Sequence, residues 1–357
     1  MERIALKMRN PRIDAARGML MVYIITVVHG FFFLNVYAGP GATLILFEMP
    51  CIFFISGYAY ALSLQGGLRM ETKRDYWNYL KTRAARILIP YWVYAAVCLG
   101  LIFLKGNPTL TGSAAATTAT LLAWLNPVEY GSGHSVSMLN YHLWFVAPFL
   151  GVTFLLPLLV KAVNRVKLPI PLLIVAGGVL ILGGEWLPAG NLPSSVLTYA
   201  TWAVLGYVVG SGRFGPMLSR PQLLALGAAA VMLLLGAWSL SWATLDMQAN
   251  KFPPNTAFFL FGIAWFSLLW SATSCVTDSA VARLNAMRWF RPFVNKGYSI
   301  YMWQGLAYSL AFNMGQQFHL PVLPVWLAAM VLAMALGIAA SPAERLGQGR
   351  LAGNFAR

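Results

Sequence analysis

Ten apolar runs, each near the length of a membrane-crossing helix, constrain what this chain can fold into. They cover residues 15–37, 41–64, 87–104, 141–160, 168–187, 195–211, 221–243, 255–274, 293–314 and 320–341. A helical span needs roughly 20 predominantly apolar residues. Charge supports the same reading: the 357-residue chain is 59% hydrophobic and only 10% charged, against roughly 25% in soluble domains. Most of such a chain cannot face water. The pattern predicts an all-α, polytopic integral membrane protein, a bundle of about ten transmembrane helices.

The basic residues orient the bundle. They occur as Arg3 to Arg17, Arg69 to Arg86, Lys161 to Lys167, Arg213 with Arg220, Arg283 to Lys296, and Arg345 to Arg357. These groups fall in alternate gaps between apolar runs. Of 25 Lys and Arg, only Lys105 and Lys251 lie elsewhere. Lys and Arg near helix ends favour the cytoplasmic side, so both termini are expected in the cytoplasm. The net charge of +15 is therefore spread over membrane loops, and a nucleic-acid partner is not expected. Membrane lipids are. Cys51, Cys98 and Cys275 are odd in number and show neither a disulfide framework nor metal-ligand spacing. The first apolar run is too long for a cleavable signal core, so a retained first helix is expected. A single transmembrane domain over 1–357 follows, without an appended soluble domain. The stretch 105–140, which holds Thr111–Leu125, Glu129 and His134, reads either as a re-entrant or interfacial element or as a connecting loop.

Ionisable groups within hydrocarbon cost at least about 2.5–3.5 kcal/mol at mid-span and so mark functional candidates. His29 lies in the first run, Glu48 in the second, His142 opens the fourth, and Gln304 sits within the ninth. The first run leaves the membrane near Tyr37 and the second enters near Gly41. At 1.5 Å per residue, His29 and Glu48 then lie about 10–12 Å below the same end of an antiparallel helix pair. A carboxylate level with an imidazole can hold its tautomer for base catalysis, or the two can be a structural polar pair. Arg17, after Asp14, is a snorkelling anchor or a ligand contact. Arg83 and Arg86 precede the third run. Their guanidinium forks suit phosphate oxygens, and a cytosolic pyrophosphate ligand and simple topology signalling both fit them.

In order along the chain, these residues resemble the membrane-bound acyltransferase-3 family of carbohydrate O-acyltransferases. Asp14-Ala-Ala-Arg-Gly18 with His29 is similar to its opening motif. Pro50-Cys-Ile-Phe-Phe-Ile-Ser-Gly-Tyr58 is similar to its second helix, and Arg83-Ala-Ala-Arg-Ile-Leu-Ile-Pro90 to the start of its third. His142-Leu-Trp-Phe145 and Ser299-Ile-Tyr-Met-Trp303 resemble two later signatures. The resemblance implies transfer of an acyl group, commonly acetyl, from cytosolic acyl-coenzyme A to a sugar hydroxyl of an extracytoplasmic or lipid-linked glycan. The setting it implies is a bacterial inner membrane, and no metal is called for. It carries the catalytic role to His29, with Glu48 as orienter, and donor contacts to Arg17, Arg83 and Arg86. Ser56, Gly57 and Tyr58 become walls of a donor channel. His142, Trp144, Tyr301 and Gln304 become candidates for the acceptor side, although a capping His and a buried aromatic account equally well for the first two.

Three departures accompany the resemblance. Eleven residues separate Arg17 from His29, where the family usually has ten. At 100° per residue, a twelve-position step leaves the two about 120° apart around the helix, so either a π-bulge absorbs the extra residue or they do not share a face. Glu48 and Gln304 stand where His is frequent in the family, and Gln304 is expected to hydrogen-bond the acceptor or a neighbour. The rival class is a non-enzymatic transporter or flippase for a lipid-linked glycan or organic anion. That class predicts inverted repeats, which the chain does not display.

Overall fold

The computed structural model describes residues 10–36, 40–106, 108–130, 138–187, 190–214, 218–344 and 346. His134, the turn at Ala38-Gly39 and the terminal basic residues Arg3, Lys7, Arg9, Arg345, Arg350 and Arg357 lie outside them. The described residues are helical with no strand. The helices are α1 (Pro11–Phe33), α2 (Glu48–Gln65), α3 (Lys73–Lys105), α4 (Ala114–Leu125) and α5 (Met138–Val166). They continue as α6 (Ile170–Glu185), α7 (Asn191–Ser211), α8 (Arg220–Ser239), the short α9 (Met247–Lys251), α10 (Thr256–Thr273), α11 (Asp278–Ala286), α12 (Arg291–Gln317) and α13 (Val322–Ala340).

Each of the ten expected runs contains a helix, and among the described residues eight helices are long and apolar enough to cross a membrane. The two that fall short do so for different reasons. Helix α6 has 16 residues, about 24 Å at the α-helical rise. Helix α12 has 27 residues but carries Asn295, Lys296, Gln304 and Asn313, and its backbone breaks at Lys296, with φ −133° and ψ 20°. The stretch Thr111–Leu125 contains α4, whose 12 residues reach only about 18 Å. It is too short to span and lies instead against α3. There Tyr91 Oη donates to the carbonyl of Trp124 (2.7 Å), and Trp92 Nε1 to that of Leu125 (3.1 Å).

The chain divides into two compact units. The first comprises Met1–Leu20, Ala38–Thr72 and Gly151–Arg291, the second Met21–Tyr37, Lys73–Leu150 and Pro292–Arg357. In the first unit α2 crosses α7 with backbones nearly touching. A Cβ on Gly57 would lie 1.7 Å from the Ala203 carbonyl oxygen, and one on Gly206 would lie 1.9 Å from that of Phe54. Small residues permit such approach, which gives van der Waals contact where lipid removes the hydrophobic drive between helices. Phe53 stacks on Tyr199 beside the crossing, with ring centroids 4.5 Å apart.

Polar side chains finish the helix ends in this unit. Ser219 and Gln222 form a capping box at α8. Asn255 caps α10, accepting from the Phe258 amide at 3.0 Å, and Glu185 from the end of α6 accepts from both the amide and hydroxyl of Thr256. Arg12 donates to Asp278 and to the carbonyls of Thr273 and Val276, which fastens the start of α1 to the end of α10.

In the second unit the core gathers Phe33, Met138, Tyr308, Val325 and Ala329. Helix α12 restarts after its break, and the Ser299 amide and hydroxyl both donate to Glu344 from beyond α13. A carboxylate there satisfies an orphan donor and faces the positive end of the helix dipole. Glu344→Ala is expected to lower stability by about 1–2 kcal/mol, read as an earlier thermal transition in detergent. An unchanged transition would show that this cap contributes nothing.

Candidate active site

The site begins in α1, which is not α-helical throughout. Ile24–Val28 form a π turn, closed by the amide of His29 donating to the carbonyl of Ile24, an i to i−5 bond. The eleven-residue spacing between Arg17 and His29 called for such a bulge as one of two outcomes, and it lies between those residues. Immediately after it His29 is buried, 6% exposed, and stacked on Phe33 one turn later, at 4.8 Å between ring centroids and 8° between planes.

The His29 ring has a defined polarity. Nδ1 lies 2.7 Å from Gln304 Oε1. With Gln304 Oε1 as the acceptor, Nδ1 is the donor, which corresponds to the Nδ1–H form of the ring. Gln304 is wholly buried. Around this pair stand Tyr301 and His142, with ring centroids 5.8 and 6.3 Å from that of His29.

His142 and Tyr301 also clamp one another's elements. His142 Nε2 donates to the Met302 carbonyl (3.0 Å), while Tyr301 Oη donates to the His142 carbonyl (2.7 Å). Tyr94 Oη donates to Leu139 O (2.7 Å) and its ring meets His142 edge-on. Gly305 makes this closeness possible: a Cβ there would sit 2.4 Å from His142 Cε1 and 2.7 Å from Tyr94 Oη. Trp144, on the neighbouring turn, is half-buried.

Gln304 is thus the partner at Nδ1. Glu48 belongs to the first unit, where it opens α2 and is 1% exposed. Its Oε1 lies 2.6 Å from Nζ of Lys251, itself 4% exposed. The pair joins α9 to the start of α2.

The remaining sequence candidates have the following surroundings. Arg17 Nη2 bonds Asp14 Oδ1 at 3.0 Å within the first turns of α1. Arg83 lies over the Tyr79 ring, 5.5 Å from its centroid, and Arg86 is exposed one turn on. Ser56 Oγ donates to its own helix at Ile52 O (2.9 Å), Gly57 fills the crossing with α7, and Tyr58 lies against Gly210.

Lys251, Glu344, Tyr94 and Gly305 are neighbours that the motif pattern does not single out. Lys251 had a signal nonetheless, as one of two basic residues outside the alternation. Glu344 is one of only ten acidic residues in the chain. Among the described residues, no group of three or more His, Cys, Asp or Glu is arranged to hold a metal ion.

No curated protein and no solved structure matches the chain. A family model described as an acyltransferase domain, that of acyltransferase family 3, matches residues 10–342 and so covers α1 through α13 and the side chains of the site, though not Glu344. This chain is an integral membrane protein that belongs to the acyltransferase-3 family.

Proposed function

We propose that the protein transfers an acyl group, acetyl in the first instance, from cytosolic acyl-coenzyme A to a sugar hydroxyl of an extracytoplasmic or lipid-linked glycan. The observation that carries this reading is the buried His29–Gln304 pair within an acyltransferase-family chain. An imidazole held as the Nδ1–H tautomer presents Nε2 as a proton acceptor. The setting we infer is a bacterial inner membrane, with both termini and the start of α3 on the cytoplasmic side.

The chemistry follows from that tautomer. Nε2 takes the proton of the sugar hydroxyl as its oxygen attacks the thioester carbonyl. The tetrahedral adduct then collapses, the carbon–sulfur bond breaks, and the imidazolium returns a proton to the departing thiolate. Ester and free coenzyme A thiol are the products. Gln304 is neutral, so it selects the tautomer without the additional negative charge that a carboxylate would bring to the imidazolium. Tyr301 and His142, whose rings stand beside the imidazole, are assigned to the acceptor side.

Arg83 and Arg86 hold the donor's phosphates, because i, i+3 spacing places both on one side of α3 and guanidinium forks match phosphate oxygens. The test is donor binding. Acetyl-coenzyme A at 100 times its Kd is expected to stabilise the purified protein by about 2.7 kcal/mol, seen as a higher Tm. Arg83→Ala and Arg86→Ala are each expected to weaken that binding about tenfold or more, the equivalent of about 1.4 kcal/mol. A protein whose Tm ignores acyl-coenzyme A would sink the donor assignment. Mass analysis of surface glycans from cells with and without the protein then identifies acyl group and acceptor together.

A further inference from the structure

Resting on the assignment of His29 as base, we propose that Tyr308 and Trp326 are positioning residues, which aim His29 by holding the π turn of α1 open. The turn needs an explanation, because an uninterrupted α-helix is the default for an apolar segment and π turns are rare insertions. Two side chains supply it. Tyr308 Oη, from α12, donates to the Ile25 carbonyl at 2.6 Å, and Trp326 Nε1, from α13, donates to the Thr26 carbonyl at 2.8 Å. Both acceptors lie inside the wide turn, between Ile24 and Val28.

The surroundings are shaped for these contacts. Gly30 leaves room for the indole, since a Cβ there would lie 2.5 Å from Trp326 Nε1. Tyr308 is wholly buried and meets the ring of Phe33 edge-on, 5.2 Å between centroids, while Phe33 in turn stacks on His29. Tyr308 therefore supports the imidazole twice, through the backbone behind it and through the ring beneath it.

The consequence is angular. His29 is the residue whose amide closes the turn, so its side chain leaves the helix from the last position the wide register sets. Restoring α-helical bonding through Ile24–Val28 would change the direction of that side chain by up to about 100°, one residue's rotation. Gln304 could then no longer hold Nδ1, and Nε2 would lose its defined orientation.

The experiment uses the full-length protein in detergent with ¹⁵N-labelled histidine. The chain has four His, and the His29 resonances are assigned by their loss in His29→Gln. Wild-type His29 is expected to show one Nδ1–H tautomer. In Tyr308→Phe and Trp326→Phe, which keep ring volume and remove one donor each, it is expected to show mixed tautomers. Acetyl-coenzyme A turnover should fall about tenfold or more in kcat, as misplacement of a catalytic group does, with KM for the donor within about twofold, as binding at a separate place predicts. A merely structural role would lower Tm and leave the tautomer alone.

Two single-tautomer variants with wild-type kcat would overturn the proposal. Should Trp326→Phe fail to fold, amide hydrogen exchange in Tyr308→Phe decides: faster exchange confined to the His29 amide supports the proposal, and unchanged exchange there refutes it. The two levels separate cleanly. Scrambled tautomers with undiminished turnover would keep the positioning and remove His29 as base. Loss of turnover in His29→Gln with both variants at wild-type behaviour would do the reverse.

Discussion

His29→Ala is expected to lower acyl transfer by about 10²–10⁴-fold, the usual contribution of a positioned general base, with acyl-coenzyme A affinity unchanged. The reason is division of labour. Donor affinity is assigned to Arg83 and Arg86 on α3, whereas His29 acts on the acceptor's proton in the transition state, so its loss should appear in kcat and not in KM. Release of free thiol from acetyl-coenzyme A, with a thermal transition as control for folding, measures both. Turnover within twofold of wild type in a folded His29→Ala protein would remove the imidazole from the chemistry.

Lys251→Met is expected to cost about 3–5 kcal/mol of stability, because it leaves the Glu48 carboxylate buried without its ammonium. Glu48→Gln should cost a comparable amount by leaving the opposite charge behind. The double variant Glu48→Gln/Lys251→Met removes both charges and is expected to recover most of the loss, since a buried ion pair is worth little against neutral groups of similar volume. Thermal or denaturant unfolding of the four proteins in one detergent gives the coupling as a double-mutant cycle. Additive effects in that cycle would mean that the 2.6 Å contact is energetically idle, and full activity in the double variant would place the pair outside the chemistry.

Architecture was largely legible in the residue pattern, and partners were not. Apolar runs and their punctuation located all ten expected helices, because hydrocarbon leaves the backbone no other way to satisfy its hydrogen bonds. The run 168–187 is no shorter than several others although α6 has only 16 residues, so that helix's shortness was not legible, nor was the break in α12 at Lys296. The eleven residues between Arg17 and His29 narrowed α1 to a π-bulge or a lost alignment, and the bulge is there.

Partnerships across helices were harder. His29 and Gln304 are 275 residues apart, and only the place of each polar group within an apolar run singled them out. Lys251 was visible as an exception to the charge alternation, yet its burial depends on α9, a five-residue helix too short for periodicity to reveal.

The Glu344 contact has a consequence for assembly. The helix bearing Gln304 is finished from beyond α13, so its end is satisfied only once α13 has packed beside it.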